Sequence, residues 1–319
     1  MTDSTTLGLV GGLLQAVVIV AGAPLLVGLM RQVRARMEGR VGAGITQPWR
    51  DLRKQFRKEP ITPRGTSEVF RAAPVAMVAI TLVVAAIAPF VTAASPLPGV
   101  ADLFVVVALL ATGTVAIALA GIDTGTAFGG MGASREMTIA ALVEPTLLLS
   151  VFALSVRVGS TNLGAIVTST LDDPLAVISP ASALAAVALA VVIIAETGRI
   201  PVDNPSTHLE LTMIHEAMVL EYSGPDLALI EWASAIRLTV LLGLLGSLFA
   251  PWGIAGADAG LVALLVATGA LAVKVGVLGA LLAAGEVFMA KLRLFRIPEL
   301  LAGSFLLALL AVGASFFLA

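Results

Sequence analysis

The chain is 319 residues long, 58% hydrophobic and only 13% charged, with a net charge of -2 and a mean hydropathy of +1.02. A soluble domain is roughly 25% charged and about 45–50% apolar, so these residues cannot cover a water-facing surface. With no cysteine, the chain holds no thiolate-ligated iron–sulfur cluster, cysteine zinc site or disulfide. Any electron-carrying centre acting with it belongs to a partner.

The start, Met1 to Thr6, has an acid at Asp3 and no Lys or Arg, so no basic signal-peptide region is expected. Leu7–Met30 is then the first of eight apolar stretches of about 20 residues, enough to cross a hydrocarbon core of roughly 30 Å as helices. The loop after it, RQVRARMEGRVGAGITQPWRDLRKQFRKEP, is the most basic part of the chain. In it Trp49, Leu52 and Phe56 share a helical face, with Arg50, Arg53, Lys54, Arg57 and Lys58 around them. That pattern predicts a short helix lying in the membrane interface. Two readings fit the loop: a positive-inside segment attracted to anionic lipid, or a floor for a partner subunit or cavity. Nucleic acid is not an expected partner.

The second, third and fourth spans are Phe70–Ala94, Ala101–Gly121 and Glu136–Val156. Pro24, Pro74, Pro89 and Pro145 fall inside predicted spans, where packed membrane helices tolerate them. In the fourth span Glu144 directly precedes Pro145, which removes one backbone hydrogen bond and leaves a carbonyl free beside a carboxylate. The fifth span, Ala181–Ala195, is the shortest. It opens into an acid-rich loop that carries Glu196, Arg199, Asp203, His208, Glu210, His215, Glu216, Glu221 and Tyr222. Asn204 with Pro205 reads as a helix start, and Thr207 with Glu210 as an alternative capping box. His208 and His215 share a helical face but lie two turns apart, about 10 Å, too far for a common metal without other ligands.

Leu227–Ala250, Ala259–Ala284 and Glu299–Ala319 complete the spans. Arg237 and Lys274 lie near the middles of the sixth and seventh. A charge at that depth costs roughly 2.5–3.5 kcal/mol or more unless paired or hydrated. Glu144 could neutralise one of these cations, or the three could belong to a hydrated proton path. The whole chain, 1–319, reads as one all-α transmembrane bundle, with a basic cytoplasmic loop at 31–70 and an acidic one at 196–226. No internal repeat or pair of broken helices suggests an independent secondary transporter.

Three blocks carry a family resemblance: RARMEGRVGAGITQPWRDLRK (34–54), GGMGASREMTIAALVEPTLLL (129–149) and ETGRIPVDNPSTHLELTMIHEAMVLEYSG (196–224). Together they resemble the membrane-anchor subunit of formate hydrogenlyase-type, energy-converting nickel–iron hydrogenases. More widely they resemble the corresponding membrane-anchor subunit of respiratory complex I, the bacterial NADH:quinone oxidoreductase. One departure is Arg40-Val-Gly-Ala-Gly44, where the family commonly has proline in the turn, so a looser turn is expected. The resemblance implies a subunit without a redox centre, in a bacterial or archaeal cytoplasmic membrane. Its partners would be an iron–sulfur subunit, hydrogenase large and small subunit-like proteins holding the nickel–iron site, and antiporter-like membrane subunits. It also implies a polar path through Glu144, Glu196, Glu210, Glu216, Glu221, Arg237 and Lys274. Arg36, Arg40, Trp49, Arg53, Arg199, Asp203, His208, His215 and Tyr222 would shape the cavity and the docking face. Quinone reduction and a purely structural anchor are the remaining readings.

Eleven of the 19 Lys and Arg lie between Arg31 and Arg71, which places that loop inside by the positive-inside rule. With eight spans, both termini face out. Tags at Thr2 and Ala319 should therefore both be labelled by an impermeant reagent on intact cells; a protected C-terminus would require an odd number of spans.

Overall fold

The computed structural model describes residues 2–93, 95, 97, 99–173, 178–203, 213–256 and 259–318. In chain order the helices are α1 (Thr2–Met37), α2 (Gln47–Gln55), α3 (Glu68–Ile87), α4 (Leu103–Asp123), α5 (Ala127–Val158), α6 (Leu163–Asp172), α7 (Pro180–Glu196), α8 (His215–Val219), α9 (Gly224–Phe249), α10 (Leu261–Phe288) and α11 (Ile297–Leu318). Among the described residues, seven of these are long and apolar enough to cross a membrane. The remaining predicted span is α7, whose 17 residues reach about 25 Å, at the short end of what can cross.

α9 is the most enclosed span, and α10 and α11 are among the least. On one side α9 packs against α1, α3 and α10; on the other, α5 packs against α4, α7 and α11. Contact between α3 and α4 joins the two groups. Short α6, absent from the sequence-based reading, is capped by the Asn162 side chain on Ala165 N at 3.1 Å and buries Leu163, Ile166 and Val167. The expected interfacial helix is α2. The expected helix start at Asn204 or Thr207 lies outside the described residues.

Two boundaries differ from the sequence-based reading. α5 begins at Ala127, not Glu136, because the Thr126 hydroxyl caps it through Gly129 N at 3.2 Å. Arg135 and Glu136, which read as a polar end, instead lie within the helix, and Glu136 is buried. α3 stops at Ile87, so Pro89 falls outside it: the residue before a proline is pushed out of the helical region, and Ala88 adopts ψ 145°.

Each interruption by proline frees a specific carbonyl, since the missing N–H would have bonded the residue four before it. Pro24 frees Val20, whose oxygen accepts from Trp232 Nε1 of α9 at 3.0 Å. Pro74 frees Phe70, whose oxygen accepts from the Tyr222 hydroxyl at 2.7 Å. Pro89 frees Ala85, whose oxygen accepts from Gln15 Nε2 of α1 at 3.1 Å. Gln15 is fully enclosed and also receives Val91 N at 3.2 Å on its own oxygen. Tyr222 stacks on Phe70 with ring centroids 3.9 Å apart. Burial, with Asp226 and Asp123 nearby, raises its pKa and keeps it a donor.

Tyr222→Phe keeps the stacked ring but leaves the Phe70 carbonyl without its donor, at a cost of about 1–3 kcal/mol. Pro74→Ala returns an N–H to that carbonyl, so the same tyrosine change should cost little in the Pro74→Ala background. Unfolding in detergent of the two single variants and the double variant checks this; equal costs in both backgrounds would contradict it.

Candidate functional site

The site is built around the end of α7. Thr197 closes the helix, Gly198 takes φ +58°, and the Gly198 and Arg199 amides return to Ala195 O at 3.1 Å and Ile194 O at 2.9 Å. This is a Schellman ending, in which a left-handed residue after the cap satisfies the last carbonyls. A Cβ here would also press on the His215 ring, at 3.3 Å. The turn leaves Glu196 pointing into the bundle and aims Arg199 and Asp203 towards α1, α8 and α10.

Four buried acids each meet a cation. Glu196 pairs with Arg237 of α9, and that guanidinium also donates to Thr114 Oγ1 at 2.6 Å and Leu110 O at 3.0 Å on α4. Glu136 of α5 lies 3.2 Å from His215 Nδ1. Asp203 accepts from Lys291 Nζ at 2.9 Å and from the backbone amides of Ile214 and His215, each at 3.3 Å. Glu286, at the end of α10, pairs with Arg34 of α1 and lies 3.7 Å from Arg199. These links tie α1, α5, α8, α9, α10 and the Thr197–Asp203 turn together around one cavity of about 560 Å³. Its wall is charged at Arg31, Arg34, Glu136, Glu196, Arg199 and Arg237, and apolar at Val27, Met30, Met77, Ile117 and Ile230.

Burial opposes a charge on His215, but Glu136, with Asp203 and Glu216 behind it, outweighs that and lifts the pKa to about 9. Burial and the neighbouring Arg34 and Arg31 charges draw Arg199 down to about 10, so it still carries its charge at neutral pH.

Of the residues singled out in the sequence, Glu196, Arg199, Asp203, His215, Glu216 and Arg237 all line this cavity. Others do not. Glu221 is exposed on the surface, and Tyr222 serves the α3 carbonyl described above. Arg36 and Arg40 lie outside the cavity wall, and Arg40 pairs with Glu38 on the surface. The cavity takes Arg31 and Arg34 instead, since two residues of helix turn a side chain by about 200°. Trp49 donates to Ala21 O at 3.1 Å, and Arg53 lies on the exposed side of α2. The turn expected to be loose at Arg40–Gly44 is tied by Gln32, which donates to Val41 O at 2.8 Å and accepts from Gly44 N at 3.2 Å. His208 and Glu210 lie outside the described residues.

Glu144 lies eight residues beyond Glu136 on α5, about 12 Å along the helix. It is half-buried and, among the described residues, within ion-pair distance of no cation. Arg237 takes Glu196 as its direct ion-pair partner, and the Glu144 carboxylate acts on it only through its charge, from farther away. Lys274 is half-buried beside Gly246 of α9, away from the cavity, and pairs with no carboxylate among the described residues. Sequence reasoning passed over Arg34, Glu136, Glu286 and Lys291. Glu286 did leave a signal, as a lone acid in the last turn of an apolar span.

A bundle of seven membrane-length apolar helices among the described residues, with a charged cavity between them, is a multi-pass membrane protein. Residues 11–316 match the NADH dehydrogenase family, and the chain belongs to that family. It is 36% identical over 301 residues to formate hydrogenlyase subunit 4 of Escherichia coli, covering 94% of this chain and 96% of that one. It is 38% identical over 245 residues to hydrogenase-4 component C of the same organism, covering 76% and 75%. Identity to NADH-quinone oxidoreductase subunit 8 of Rhodothermus marinus is 31% over 221 residues, covering 66% and 62%. In fold it matches a chain of the membrane-bound sulfane sulfur reductase, an archaeal respiratory membrane complex. The TM-score is 0.82 at 22% identity, over 96% of this chain and 99% of that one.

Because the folded pKa of His215 lies above its usual 6.5, its pairing with Glu136 stabilises fully below about pH 6.5 and is lost as pH rises through about 9. Between about pH 7 and about pH 10 the wild type should lose stability that His215→Gln does not lose. Thermal unfolding of both in the same detergent checks this; parallel pH profiles would contradict it.

Proposed function

We propose that this chain is the membrane-anchor and coupling subunit of a complex I-like oxidoreductase, of the nickel–iron hydrogenase kind. It holds no redox centre; iron–sulfur clusters and the nickel–iron site belong to cytoplasmic partners docked over the 31–70 and 196–226 loops. Antiporter-like subunits flank it in the cytoplasmic membrane. The observation that carries the reading is the pair of buried acids, Glu196 and Glu136, held by Arg237 and His215 on the wall of one cavity. Relatives named formate hydrogenlyase subunit 4 and hydrogenase-4 component C support the hydrogenase kind.

The chain's own chemistry is proton holding. An electron arriving at the mouth of the cavity changes the field on each acid–cation pair. A change of one pKa unit is worth about 1.4 kcal/mol, so modest fields redistribute protons between Glu136, Glu196 and the more distant Glu144. Asp203–Lys291 and Glu286 with its two arginines brace the cavity mouth against α1 and α10, so that the field acts on a fixed geometry.

A quinone-site subunit is the second reading. It is favoured by the cavity of about 560 Å³ and by the Rhodothermus marinus relative. Binding of a ubiquinone analogue to the assembled complex separates the two.

Glu144→Gln keeps shape and removes the titratable group from an acid that forms no direct ion pair among the described residues. The complex should assemble normally, with fewer ions moved per electron. Glu196→Gln should instead lower the amount of complex, because leaving Arg237 buried and unpaired costs roughly 3–5 kcal/mol. Glu196→Gln with Arg237→Met should restore the amount but not the coupling. Membrane abundance, measured beside ions moved per electron, decides; normal coupling in both Glu144→Gln and the restored double variant would overturn the proposal.

A further inference from the structure

We propose that the outer face of α2 is a binding site for an anionic phospholipid. Arg50, Arg53 and Arg57 would hold its phosphate, and its acyl chains would lie along Trp49 and Phe56. The inference does not rest on the redox reading above. A groove of about 540 Å³ runs along this face, lined by those five residues with Leu52 as its floor and Thr46 at one end.

Trp49, Leu52 and Phe56 form an apolar stripe at i, i+3 and i+7; the three arginines form a parallel stripe one residue on, turned by about 100°. Carboxylates near α2 are engaged elsewhere: Asp51 pairs with Arg31 at 3.7 Å, and Glu231 accepts from Gln55 at 3.0 Å. Among the described residues, Arg50, Arg53 and Arg57 pair with no acid. This face therefore carries three arginines that pair with no acid among the described residues, beside a largely apolar groove.

The mixed apolar and basic character of the face selects the ligand. Trp49 bonds to Ala21 O within α1, and its ring meets Trp232 edge-on at 5.8 Å. Phe56 meets the same indole at 6.3 Å. Trp232 is itself bonded to Val20 O, so α2 is pinned against α1 and α9. An acidic soluble partner would answer the arginines but leave the exposed Phe56 uncovered. A phospholipid answers both, its phosphate in the planar reach of guanidinium forks and its chains beside Phe56.

The test uses the full chain in nanodiscs, carrying Trp252→Phe so that fluorescence comes from Trp49 and Trp232. Brominated phosphatidylglycerol and brominated phosphatidylcholine are compared as quenchers at equal mole fraction. We expect the anionic lipid to be enriched about fivefold or more beside the indoles. Arg50→Gln/Arg53→Gln/Arg57→Gln should abolish the preference. The corresponding triple lysine variant should keep part of it, since an ammonium binds phosphate as a point charge. Equal quenching by the two lipids in the unsubstituted groove overturns the proposal, whatever the variants do. So does a preference that survives the glutamine changes while the assembled complex sheds its soluble subunits, which would make this face a protein dock.

Discussion

A hydrocarbon solvent offers no hydrogen bonds, so every backbone group a helix leaves unpaired must find its partner inside the protein. Proline makes such a group at a known place, and this chain answers three of them with side chains from other elements. Trp232 reaches the Val20 carbonyl, Tyr222 the Phe70 carbonyl and Gln15 the Ala85 carbonyl. Each bond joins segments far apart in sequence: α9 to α1, the turn before α9 to α3, and α1 to the end of α3. Apolar packing alone discriminates weakly between helix faces surrounded by lipid tails. A single donor aimed at a single freed carbonyl fixes register and rotation together.

The same accounting applied to charge produces the site. Glu136, Glu196, Asp203 and Glu286 are all buried, and each has a cation beside it. A buried pair is a weak source of net stability but strongly penalises loss of one member. It therefore resists removal of a residue while leaving the proton distribution between neighbouring pairs adjustable. Glu144 breaks the pattern, half-buried and without an ion-pair partner among the described residues. An acid that adds only a more distant charge to a cation already paired, as Glu144 does to Arg237, can change protonation without stranding that cation.

Hydropathy made the spans legible, because about 20 apolar residues have few other uses. Their ends were less so. Ser134-Arg135-Glu136 looks like a boundary when polarity is read along the chain, yet Glu136 faces inward and is buried, with the helix continuing past it. Residue types in the site were visible: an acid at 196, a base at 237, a histidine at 215. Their pairing was not, since nothing local to Glu196 says that Arg237 rather than Lys274 will meet it. Arg36 and Arg40 looked as good as Arg31 and Arg34 until the helix phase of α1 was known. Tyr222, the sole tyrosine, was expected only to help shape the cavity and the docking face. Its place was set by Pro74, far earlier in the chain, through a carbonyl no sequence pattern displays.

α2 connects these themes. Its inner side closes the cavity with Pro48, Asp51 and Leu52, while its outer side forms the arginine groove. Leu52 lines both, so one buried side chain separates the charged cavity from the outer groove. The helix is short and isolated from its neighbours in sequence by glycines at 39, 42 and 44, all with positive φ. A nine-residue helix has little stability of its own in water. Its position therefore depends on what it touches: the two ring contacts with Trp232 and the buried Leu52. Interactions at the groove and interactions at the cavity act on the same small rigid body. Whatever shifts α2 along α1 changes the wall that Arg31 and Arg34 share with Glu136 and Glu196.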